Sequence, residues 1–99
     1  MSISSFTNDV DLHFFDRKSR EFREFKAGSK FKVNKIGINY NDYYKTYVYH
    51  VRMHEKKSNS YCSFTCSRKE NSRDVILYSG KHDDYCLSWD NAFKEKCPL

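Results

Sequence analysis

Residues 43–54, YYKTYVYHVRMH, leave a chain little choice about what to build around them. Aromatic and β-branched side chains crowd the stretch, and such residues favour a pleated, half-buried surface. Successive side chains of a strand point to opposite faces. Tyr43, Tyr47, Tyr49, Val51 and Met53 therefore share one face, and Tyr44, Thr46, Val48, His50, Arg52 and His54 share the other. The first face is apolar and the second mixes hydroxyls with cations.

Such a strand needs neighbours, and the flanking sequence provides them. KFKVNKIGINY reads as a strand with two phases: Phe31 and Val33 in one, Ile36, Ile38 and Tyr40 in the other. A bulge or turn near Asn34–Lys35 would reconcile them, and Gly37 permits one. YNDY at 40–43 is a turn signal, and EKKSNS is a polar turn leading into YCSFTCS. That strand places Cys62, Phe64 and Cys66 on one face. RKENSRD turns again, and DVILYS is a last short strand ending at Gly80. Upstream, FDRKSREFREFKAG reads as a short helix. Asp16 or Ser19 caps its start, Gly28 follows its end, and Phe15, Phe22 and Phe25 form a stripe. The tail LSWDNAFKEKCPL can close in a second short helix capped by Ser88, with Trp89, Ala92 and Phe93 on one side.

The expected fold is therefore α+β. It is a small antiparallel sheet of three to four strands with a short N-terminal helix and a C-terminal one. Residues 1–13 form an N-terminal segment and 14–99 a single domain, as 99 residues suffice for one domain. Eight Tyr and eight Phe provide most of the bulk, and a domain this small gains from a staple such as zinc.

No apolar run is long enough to cross a membrane, and MSISSFTNDV has neither the basic nor the apolar part of a signal peptide. The expected location is intracellular; the secreted alternative requires a leader already removed. In a reducing compartment four cysteines are more often free or metal-bound than disulfide-bonded. The net charge is +5, unevenly spread: residues 17–35 carry eight basic and two acidic side chains, and 45–81 eight and three. The remainder carries two and eight. Concentrated basic charge suits a polyanion such as nucleic acid; the plain alternative is two solvated faces.

Four Cys and four His raise a zinc site. Residues four apart on a straight strand are separated by about 13 Å, so Cys62 and Cys66 cannot share one ion, nor can His50 and His54. A turn at Ser63–Thr65 would rescue the cysteine pair. A consistent ligand set is one of His50 or His54, one of Cys62 or Cys66, then His82, then Asp84 or Cys86. The cysteine is favoured on ligand chemistry. The alternative is that the cysteines are small buried hydrophobes and the histidines surface residues.

FDRKSREFREF, YHVR at 49–52, CSFTC at 62–66 and VILYSGKHDD at 75–84 resemble, in order, the motifs of WRKY and glial-cells-missing zinc domains. The nearest match is the FLYWCH and far-red-impaired type of transposase-derived proteins. The resemblance covers roughly residues 14 to 86. It implies a zinc site with His50 in the place of the first cysteine, Cys62 second and His82 third, and with Asp84 in the place of the final histidine. It further implies a nuclear, sequence-specific DNA-binding domain of a transcription regulator or transposase-derived protein. Its contact candidates on this chain are Arg52, Lys56, Lys57, Arg68, Lys69 and Arg73, since Lys and Arg contact phosphates and Arg reads guanine edges. RNA is an alternative target, with tyrosines stacking on unpaired bases.

Other classes stay open. One is a protein-interaction module of the same fold, with or without zinc. Another is a small secreted protein with two disulfides among Cys62, Cys66, Cys86 and Cys97. A nuclease using His50, His82 and Asp83 or Asp84 lacks any recognised catalytic spacing, so the expectation is a non-enzyme.

Overall fold

The computed structural model describes residues 5–78 and 86–98, with Cys86 by its backbone alone. Eight strands follow one another: β1 (Ser5–Thr7), β2 (Leu12–Asp16), β3 (Glu21–Phe25), β4 (Lys30–Asn41), β5 (Thr46–Glu55), β6 (Ser60–Lys69), β7 (Ile76–Tyr78) and β8 (Cys86–Ser88). A single helical turn, α1 (Trp89–Ala92), comes last. All strands belong to one antiparallel sheet in the order β1-β4-β5-β6-β2-β3, with β7 on β6 and β8 on β7.

Three hairpins are made by one local device. Their loops, residues 17–20, 42–45 and 56–59, are closed by the pairs Asp16/Glu21, Asn41/Thr46 and Glu55/Ser60. In each, the side chain just before the loop accepts hydrogen bonds from inside it. Asn41 takes the Tyr43 and Tyr44 N–H groups, and Glu55 those of Lys57 and Ser58. Asp16 takes the Lys18 N–H and the Ser19 hydroxyl. The fourth loop residue then adopts a positive φ: Arg20 at 60°, Lys45 at 53° and Asn59 at 52°. One left-handed residue redirects the chain into the next strand and cannot sit inside a helix.

The expected N-terminal helix is thus corrected to the β2–β3 hairpin, and the α+β class to a nearly all-β sheet of eight strands. Asp16 was expected to cap a helix and caps a hairpin loop instead. The phenylalanine stripe misled for a geometric reason. Residues seven apart share a helix face, yet 15 and 22 also face each other across a four-residue loop. Phe15 pairs with Phe22, their rings 5.5 Å apart, on the sheet surface turned away from the core. Residues 5–13 pack into the sheet. β1 pairs with β4, and Phe6 and Leu12 are fully buried.

β4 bulges between Val33 and Lys35, which brings its two apolar phases onto one face. β3 and β4 are four places apart in the strand order, yet the Phe25 and Phe31 rings lie 5.2 Å apart. The sheet is therefore rolled, with an aromatic core inside. Phe14 touches Phe25, Phe31, Phe64 and Phe93 there, and α1 closes one side with Trp89 set edge-on to Phe6 at 4.8 Å. The indole N–H donates to the Glu95 carbonyl at 3.0 Å.

Candidate functional site

The register of β4, β5, β6 and β2 decides which side chains can work together. Core-facing positions pair Met53 with Cys62, Tyr49 with Cys66 and Val51 with Phe64. The alternate positions point outward and pair His54 with Tyr61, Arg52 with Ser63 and His50 with Thr65. Cys62 and Cys66 thus project from the opposite face of the sheet to His50 and His54. β6 runs unbroken through residues 60–69, so no turn brings Cys62 to Cys66.

Cys62 and Cys66 are fully buried free thiols. Burial pushes both up to about 12, aided at Cys62 by the carboxylates of Asp16 and Glu55 and at Cys66 by Cys97. A thiol held protonated this firmly is a small hydrophobe, since metal binding and nucleophilic attack both require the thiolate. His54 instead meets Asn59 at 2.8 Å and packs on the Tyr61 ring, and His50 faces the Thr65 hydroxyl at 3.5 Å. Among the described residues no three of His, Cys, Asp and Glu converge on a point. The described members of the expected set do not fit a zinc ion. His82, Asp83 and Asp84 lie outside the described residues, as does the side chain of Cys86. Disulfide bonding between Cys62 and Cys66 is excluded by the same spacing, about 13 Å along a strand.

One expected result follows. Iodoacetamide at mildly alkaline pH should leave Cys62 and Cys66 unmodified in the native protein and label both in urea, as read by peptide mass mapping. Native labelling as fast as in urea would place them in solvent and overturn the assignment.

The outward positions form a different constellation. One row across the sheet reads Lys32, His54, Tyr61; the next reads Lys35, Arg52, Ser63, Phe15. Arg17 adjoins the first row, its N–H donating to the Tyr61 carbonyl at 2.8 Å. Glu24 is the sole carboxylate at the outward strand positions among the described residues. It is engaged by His13 at 3.3 Å and Lys26 at 2.7 Å.

Of the six expected contact residues, only Arg52 lies within these rows. Lys56 and Lys57 occupy the β5–β6 loop at the Lys32 end. Arg68 and Lys69 pair with Tyr47 and Thr46 at the opposite end of the hairpin, about 30 Å away along ten-residue strands. Arg68 also points to the core-side face, its guanidinium over the Tyr47 ring at 5.4 Å. Arg73 follows in the exposed loop after β6. The six therefore do not make one patch. Lys32, Lys35 and Arg17 were missed, although the Asn41/Thr46 closure suffices to pair Lys35 with Arg52.

No family model, curated protein or solved structure matches the chain. The likeness to WRKY-type domains rests on short motifs, and the helix expected of the first of them is the β2–β3 hairpin.

Proposed function

We propose that the chain is a nucleic-acid-binding domain that takes the phosphate backbone on the outward face of its sheet, as a binding module without catalysis. One observation carries the reading: the register sets Lys32 beside His54 and Lys35 beside Arg52, on neighbouring strands about 4.8 Å apart, all opposite the core. Arg17 extends the strip, and Glu24, the one carboxylate at the outward strand positions among the described residues, is paired with Lys26 and lies against His13. Cations held in rows on a rigid sheet suit a repeating polyanion, because each phosphate contact releases condensed counterions. The reading requires no zinc.

Replacing Lys32, Lys35 and Arg52 together by Glu tests it. Fluorescence anisotropy with a labelled oligonucleotide should show affinity falling about tenfold or more. The slope of log affinity against log salt should drop by about 2 to 3. The same reversal at Arg68, Lys69 and Arg73 should have a clearly smaller effect. Equal losses from both sets would count against the face.

A second reading has its own observation. β1 covers only Lys30–Lys32 of the outer edge of β4, so among the described residues positions 33–41 carry an open edge. Ile38 is 61% exposed beside it, and Tyr43 and Tyr44 protrude at the hairpin tip. Such an edge accepts a strand from a protein partner. Binding of no oligonucleotide at any salt would leave this reading standing alone.

A further inference from the structure

The outer edge of β6 is divided between two strands. β2 takes Cys62 and Ser63, and β7 takes Thr65, Cys66 and Ser67. Where one partner gives way to the other, a cleft of about 350 Å³ opens on the outward face. Ser63 and Thr65 line it together with Phe14, Val51 and Phe64 of the core, the Phe15–Phe22 ring pair is on the β2 side and Tyr78 on the β7 side. Arg17, His50 and Arg52 stand around it. Among the described residues no carboxylate lines the cleft. The Nε of Arg17 is buried and has no hydrogen-bond partner among the described residues, an orphan donor that a ligand oxygen would satisfy.

We propose that this cleft seats an unpaired nucleobase, so that the domain prefers single-stranded over duplex nucleic acid; the inference rests on the outward face being the nucleic-acid surface. Three features select this occupant. Aromatic rings on facing walls present flat apolar surface to a planar heterocycle, and base–aromatic stacking tolerates any sequence. The Ser63 and Thr65 hydroxyls in its lining can donate to or accept from a base edge. The cationic rim continues from Arg52 to Lys35 on the next strand, which matches the charge of a chain of phosphates rather than a single anion. A base inside a duplex cannot enter a cleft between two strands, whereas a splayed base of a single strand can.

The test compares a labelled oligothymidylate with a blunt duplex of the same length, by anisotropy at two salt concentrations. Phe22 is 39% exposed on an edge strand, so Phe22→Ala leaves the core intact. The single strand should bind more tightly than the duplex. Phe22→Ala should weaken the single strand about fivefold or more while moving the duplex by less than about twofold, and Phe22→Trp should restore it. Phe15→Leu, with its urea midpoint checked, provides an independent second variant with the same expected pattern. Salt-dependent binding that shows no single-strand preference and ignores both variants would overturn the cleft and leave the basic face standing. Absence of salt-dependent binding to either probe would overturn both.

Discussion

Phe14→Ala should lower the stability of the domain by about 3 to 5 kcal/mol, the cost of removing a large side chain from a packed interior. Phe14 is 1% exposed and its ring meets Phe25 of β3, Phe31 of β4, Phe64 of β6 and Phe93 after α1. Its ring joins β3, β4, β6 and the segment after α1, so the cavity would open where the roll is held closed. Whole domains of this size have only about 5 to 15 kcal/mol of stability. The melting temperature should therefore fall by roughly 15 °C or more, measured by circular dichroism. Phe15→Ala is the control. In the hairpin Phe15 faces outward against Phe22, so its loss should be much milder. A helix over this stretch would reverse the two outcomes, because it would bury the stripe of Phe15, Phe22 and Phe25. Equal shifts for both variants would refute the face assignment.

That contrast shows where the sequence was legible. Alternation in 43–54 and 60–66 sorts Tyr49, Val51, Met53, Cys62, Phe64 and Cys66 to one face, and all six are buried. The clash of phases in KFKVNKIGINY locates the β4 bulge, since only an extra residue lets Phe31 and Ile36 face the same way. The 12–25 hairpin was hidden because its glycine-free loop relies on Arg20 at positive φ, a conformation no composition rule assigns to arginine. β1 is three residues long and pairs with β4 more than twenty residues away, so no local pattern announces it. For the site, residue types drew attention to cysteine and histidine, whereas strand parity separates them. Cys62 and Cys66 are even-numbered on β6, and His50 and His54 are even-numbered on its antiparallel neighbour. The pairs sum to 115, an odd number, so even positions of one strand share a face with odd positions of the other. The same arithmetic on the Asn41/Thr46 closure sets Lys35 opposite Arg52.

Asp16→Ala should cost about 3 kcal/mol, and its cost should depend on pH. Asp16 is 2% exposed at the start of the β2–β3 loop. Its carboxylate accepts the Lys18 N–H at 3.0 Å, the Ser19 hydroxyl at 3.1 Å and the Tyr61 N–H at 3.3 Å, and lies 3.2 Å from Arg23. It thereby ties the loop to the first residues of β6. Burial by itself favours the neutral acid, but the hydrogen bonds and the Arg23 charge outweigh it and hold the carboxyl below its ordinary 3.8. A group with a depressed folded pKa stabilises the fold above its unfolded pKa. That contribution is lost as pH falls through the ordinary value towards the folded one. Asp16→Asn keeps the shape and removes the charge. The gap in urea midpoint between the natural chain and Asp16→Asn should be largest near neutral pH and should narrow below about pH 4. A gap that stays constant from neutrality into that acid range would show that the ionised carboxylate contributes nothing there and that only the shape of the side chain matters.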